Sequence, residues 1–130
     1  MKKVLTIIGL FIGINTTAQV ATSGTNNSGT NASAIGYQSS ATNTVSTAIG
    51  RETLASGVTS TAMGYQTSAT NTAATAMGDN STASGVTSTA MGDNSTASGE
   101  TSIAMGYETE ATYSASIAMG YQTSSTEGAS

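Results

Sequence analysis

The chain has 130 residues, of which 37% are hydrophobic, but it contains one Phe, no Trp and five Tyr, so a conventional globular core of large side chains is excluded. Cys, His and Pro are absent, which removes disulfides, thiolate or imidazole metal sites and Cys or His nucleophiles; the expectation is a non-enzymatic chain with no cofactor. Three basic residues against seven acidic ones leave nothing to hold nucleic-acid phosphates or an anionic membrane.

Residues 1–18 differ from all that follows. Lys2 and Lys3 precede an apolar run, Val4 to Ile14, too short to cross a bilayer, and Thr16-Thr17-Ala18 supplies small residues for cleavage. This is the pattern of a secretory signal peptide. Cleavage after Ala18 leaves Arg51 against seven carboxylates, a net charge of −6, and a mature chain that is not inserted in a membrane. Residues 19–31, rich in Thr, Ser, Asn and Gly, form either a flexible lead or a degenerate half-coil.

From 32 to 130 one pattern runs without insertion or deletion. Ile35, Ile49, Met63, Met77, Met91, Met105 and Met119 recur every fourteen residues, each between an Ala and a Gly. A fixed short period with an apolar column marks stacked structural units. Each fourteen holds two five-residue extended pieces, such as Ser88 to Gly92 and Ser95 to Gly99, separated by two-residue turns, Asp93-Asn94 and Glu100-Thr101. The lengths, the Ser/Thr/Ala content and the lack of any 3.6-residue period predict an all-β fold, a parallel β-roll of 14-residue coils with two short strands each.

Alternation then assigns the faces. Ala34, Ala48, Ala62, Ala76, Ala90, Ala104 and Ala118 point inward against a facing column of Ala41, Ala55, Ala69, Ala83, Ala97 and Ala111. The Ile/Met column points outward beside Ser33, Thr47, Thr61, Thr75, Thr89, Ile103 and Ile117, making a wall too apolar to be left in water. The other wall is wet, with Ser40, Thr42, Ser68, Thr70, Thr82, Ser84 and their successors. Self-association along the apolar wall is expected, with the interface at Ile35, Ile49, Met63, Met77, Met91, Met105 and Met119.

Glycine at each strand end suits a positive φ or a close approach at the corner. Asn43 and Asn71, which replace Gly57, Gly85 and Gly99, point to the left-handed region there; Tyr113 and Glu127 break the rule, so irregularity is expected in the last two coils. Asp79-Asn80 and Asp93-Asn94 are explained by turn formation. Tyr37, Tyr65, Tyr107 and Tyr121 share a corner position at home with an exposed hydroxyl. Glu100, Glu108 and Glu110 are expected to form a solvated acidic edge, with Glu110 on the wet wall, where its charge discourages sheet-to-sheet aggregation.

The segments A-I-G-Y-Q-S-S-A-T-N, T-A-I-G-R-E-T-L-A-S-G and I-A-M-G-Y-E-T-E-A resemble the YadA-like head repeats of trimeric autotransporter adhesins. The resemblance implies a left-handed roll, a homotrimer, and attachment to extracellular-matrix protein, cells or surfaces. It further implies a secreted or cell-surface location, outer-membrane-associated where an anchor is supplied. Two other roles fit a solenoid: a passive structural spacer, and an ice-binding face, for which the wet wall is too irregular.

Overall fold

The computed structural model describes residues 24–125; the signal-peptide segment and Glu127 lie outside them. Fifteen strands alternate between two parallel sheets. The long strands are β2 (Ser33–Ile35), β4 (Thr47–Arg51), β6 (Thr61–Tyr65), β8 (Thr75–Asp79), β10 (Thr89–Asp93), β12 (Ile103–Tyr107) and β14 (Ile117–Tyr121). They stack in that order into one sheet. The short strands are β1 (Asn26–Asn27), β3 (Ser40–Ala41), β5 (Leu54–Ala55), β7 (Ser68–Ala69), β9 (Thr82–Ala83), β11 (Thr96–Ala97), β13 (Glu110–Ala111) and β15 (Ser124–Ser125), which make the other. Every pair is parallel and offset by fourteen residues, as in Ala90↔Ala104 and Ala97↔Ala111. The chain is therefore a β-solenoid of about seven coils, and at about 4.8 Å per rung its length is on the order of 35 Å.

The interior is a double file of alanines. Ala34, Ala48, Ala62, Ala76, Ala90 and Ala104 are fully buried, and so are Ala41, Ala55, Ala69, Ala83, Ala97 and Ala111. Larger side chains on both walls would overpack so thin a space. Two columns of small hydroxyl residues complete the filling. Ser46, Ser60, Ser88, Ser102 and Ser116 are buried just before the long strands. Each donates its hydroxyl to the carbonyl three residues earlier, at 2.7–2.8 Å. The second column, Ser39, Thr53, Thr67, Ser81, Ser95 and Thr109, is buried before the short strands and gave no signal in the sequence. Ser81 there donates to backbone carbonyls and Ser95 to Ser81, whereas the Thr53, Thr67 and Thr109 hydroxyls have no partner among the described residues.

Three expectations are corrected. The second extended piece of each coil is a strand of two residues, not five, because Ser98 and Gly99 both turn their N–H onto Ala111 O, at 2.9 and 3.3 Å, and leave the ladder. The left-handed residue is not Gly57, Gly85, Asn43 or Asn71 but the one two places later: Val45, Thr59, Ala73 and Thr87 have φ of 54–56°. The coil at Tyr113 is regular, its carbonyl accepting from both the N–H and the hydroxyl of Ser116. In addition, the lead stretch contains β1, whose Asn26 and Asn27 pair with Ser40 and Ala41, so a half-coil precedes Ala32.

Candidate functional site

The outward side of the long-strand sheet carries the apolar column. Register pairs place Ile35, Ile49, Met63, Met77, Met91, Met105 and Met119 on seven successive rungs. Beside them run Ser33, Thr47, Thr61, Thr75, Thr89, Ile103 and Ile117 in the same register. The column is half-buried by its own rungs from β2 to β12. On the last long strand Ile117 and Met119 are 60% and 59% exposed. Straight stacking arises because each long strand pairs with the next in a constant fourteen-residue register, so the Ile/Met column is a continuous apolar ridge. The chemical capacity of such an apolar surface is association.

Glycine makes this wall reach its corner. Gly78 has φ of 119°, and a Cβ on it would overlap the carbonyl oxygen of Gly92. The same geometry recurs at each long strand from β4 to β12, which lets neighbouring backbones meet just before the edge.

Past that glycine lies a polar edge. Tyr37, Arg51, Tyr65, Asp79, Asp93, Tyr107 and Tyr121 follow one another rung by rung. The Arg51 guanidinium lies between two rings, 5.8 Å from the Tyr37 centroid and 5.4 Å from that of Tyr65, and pairs with Glu52 at 3.1 Å. Tyr107 and Tyr121 stack at 5.1 Å with planes 9° apart. The amides of Gln66 and Gln122 donate to Glu52 and Glu108 one coil below, at 2.7 and 2.8 Å. A hydrogen bond to the Glu108 carboxylate, reinforced by its charge, raises the Tyr107 phenol above its ordinary pKa.

Of the two stacked turn pairs, Asn80 and Asn94 take the left-handed conformation, with φ of 50° and 53°, while Asp79 and Asp93 close their strands. Among the described residues no three His, Cys, Asp or Glu side chains gather to hold a metal ion. The acidic edge expected from Glu100, Glu108 and Glu110 does not form. Glu108 stands on the polar edge, Glu100 on the opposite one and Glu110 on the wet wall, since they belong to different places in the coil.

The opposite edge, after the short strands, is built from Thr44-Val45, Val58-Thr59, Thr72-Ala73, Val86-Thr87, Glu100-Thr101 and Ser114-Ala115. It is mostly small, uncharged and exposed, with Val45, Val58 and Val86 at 49%, 38% and 37%.

The family model described as YadA head domain repeat matches residues 28–53, 55–81 and 83–109, two coils at a time. The chain belongs to the YadA head family. No curated protein matches it in sequence. The three matches to the YadA head run from just after β1 to past the end of β12 and include six of the seven rungs of the apolar column completely. Membership places the chain with adhesin-type structural domains, a family not known for enzymatic activity.

Proposed function

We propose that this chain is the head of a secreted or surface-displayed bacterial adhesin, assembled as a homotrimer whose three Ile/Met walls face a common axis. The observation that carries the reading is the unbroken apolar column on seven rungs, open to water on a single roll. Head domains of this family form trimers, and cyclic closure covers such a column along its whole length. Both edges and the wet wall then stay outward on each of three faces. Weak contacts to extracellular-matrix protein or a cell surface, repeated threefold, would sum to useful avidity.

The test is the solution mass of the chain with and without charge on the wall. Untreated protein should sediment at three times the chain mass, and Met77→Asp with Met91→Asp should give single chains, because six carboxylates would otherwise be buried unpaired in the trimer. A double variant that remains fully trimeric would place another face at the axis. For adhesion itself, beads coated with the protein should lose attachment when surface residues are changed at constant length. A passive spacer would instead respond only to removal of whole coils, a reading that the uninterrupted fourteen-residue register also favours.

A further inference from the structure

We propose that the methionine column is a modification site: oxidation of its thioethers to sulfoxides on single chains prevents assembly while leaving the roll itself intact. The inference rests on the reading of this wall as the self-association face. Five of the six methionines in the chain, Met63, Met77, Met91, Met105 and Met119, occupy consecutive rungs of that wall. Ile35 and Ile49 hold the same column on the preceding rungs, so packing alone accepts a residue that cannot be oxidised. Cys and Trp are absent, which makes these thioethers the side chains most open to two-electron oxidants. None of them lies in the interior, where only Ala, Ser, Thr and Gly are buried.

The chemistry needs an oxygen-atom donor such as hydrogen peroxide. The sulfur lone pair attacks the peroxide, the O–O bond breaks, one oxygen stays on sulfur and the other leaves as water; sulfur is oxidised and peroxide reduced. The product is polar and accepts hydrogen bonds. What it meets on the wall differs along the rod. Thr61, Thr75 and Thr89 accompany Met63, Met77 and Met91, but Ile103 and Ile117 accompany Met105 and Met119. On those last two rungs the residue two places before the sulfoxide is an isoleucine instead of a hydroxyl donor, and backbone N–H groups along the sheet are taken by the ladder. Three such groups turned toward one axis on each rung would weaken association on the order of 100-fold or more. Reduction by a methionine sulfoxide reductase restores the thioether.

The experiment compares the full chain with a variant in which Met63, Met77, Met91, Met105 and Met119 are replaced by Ile. Both are treated with peroxide in denaturant, refolded after its removal, and examined by sedimentation, with peptide mass spectrometry to verify oxidation and circular dichroism to follow β-structure. The expected result is threefold mass for untreated protein and for the treated Ile variant, and single chains for the treated original. Oxidant applied to the assembled protein should reach Met119 first and Met77 and Met91 at least about tenfold more slowly, since burial limits oxidation. Full association of a chain carrying all five sulfoxides would overturn the proposal, as would equal loss of association in the treated Ile variant. Single chains before any treatment would instead overturn the trimer reading itself.

Discussion

The two edges of the roll perform the same backbone turn with opposite side chains. At the polar edge the left-handed residues are Gln38, Glu52, Gln66, Asn80, Asn94, Glu108 and Gln122; at the other they are Asn31, then Val45, Thr59, Ala73, Thr87, Thr101 and Ala115, with φ between 54° and 57°. Left-handed geometry costs about 1–2 kcal/mol in an L-residue and is least suited to a β-branched one. Both edges nevertheless hold it by the same bond, the N–H reaching back fifteen residues to the preceding coil: Glu52 to Tyr37 O at 2.8 Å, Thr59 to Thr44 O at 2.9 Å. Since a buried or edge N–H left unpaired costs a comparable amount, the coil below decides the conformation, and propensity is overruled. What separates the edges is how the strand arrives: through a glycine with positive φ at one, through a hydroxyl-stapled turn at the other.

Replacing the two kinds of glycine by the same residue would break that comparison most sharply. Gly78→Asn puts a Cβ against the Gly92 carbonyl at a φ of 119°, and should destabilise the roll by more than about 3 kcal/mol. Gly85→Asn, at the other edge, should cost no more than about 1 kcal/mol, although a Cβ built on the present backbone also overlaps a carbonyl, that of Gly99. The turn can give way there. At Asn43 in the equivalent place the N–H has moved to Ser46 Oγ at 3.2 Å, while Gly57 N–H goes to Ala69 O. Asn43 and Asn71 also donate their amides to the next coil, to Ser56 O and Ser84 O at 3.1 Å. Urea unfolding of the two variants provides the check; equal losses would mean that the edges are constrained alike.

This difference also explains what could be seen in the sequence and what could not. The fourteen-residue period, the parallel coils and the Ala columns were legible because each depends on strict repetition of residue size. Asn43 and Asn71 signalled a turn but misled about its conformation, since their side chains act as amide latches rather than as left-handed residues. Val45 and Thr87 carry no propensity for the geometry they adopt, so nothing local could announce it; the bond to the coil below can be known only once the coils are stacked. The hydroxyl column at Thr53, Thr67 and Thr109 was hidden for a related reason, because Ser and Thr occur on every surface of this chain and only one column turns inward.

That hidden column sharpens the contrast between the two ends of a coil. Ser88→Ala removes a hydroxyl that donates to Gly85 O at 2.8 Å and should cost about 1 kcal/mol, a modest figure because Ala74 already occupies that column fully buried. Thr53→Val has the opposite sign. Its hydroxyl is buried without a partner among the described residues, and an isosteric methyl should leave stability unchanged or raise it by about 1 kcal/mol. Thermal melts of both, read against the parent, distinguish a stapled turn from a merely filled one; a loss in Thr53→Val would place a bound water on that hydroxyl.

Smaller still is the effect of giving the uncharged edge the residues of the other. Thr87→Asn relieves a β-branched residue at φ of 54° with a type that accepts the left-handed region, as Asn80 and Asn94 do one edge away. A gain of about 0.5–1 kcal/mol is expected, reduced by loss of the exposed Thr87 hydroxyl bond to Val86 O at 2.7 Å. The reverse exchange, Asn80→Thr, should destabilise by a similar amount. If both changes prove neutral, the fifteen-residue bond holds the turn so firmly that its occupant is immaterial.

The least perturbing test concerns the polar edge alone and leaves the backbone untouched. Tyr107 is stacked on Tyr121 and hydrogen-bonded to Glu108, so its phenol should titrate above the ordinary value of about 10. A phenolate formed there would lose the donated hydrogen bond and lie beside the negative charges of Glu108 and, more weakly, Asp93. The raised value belongs to the neutral form, and the sign follows: the contact supports the fold below the unfolded pKa and is lost as pH rises through the folded one. Glu108→Gln removes the charge but keeps a group able to accept the bond, so the Tyr107 midpoint, followed by ultraviolet difference absorbance against a Tyr107→Phe reference, should fall toward the ordinary value without reaching it. A midpoint unmoved by Glu108→Gln would assign the shift to burial between the rings, and the polar edge would then be organised by stacking rather than by charge.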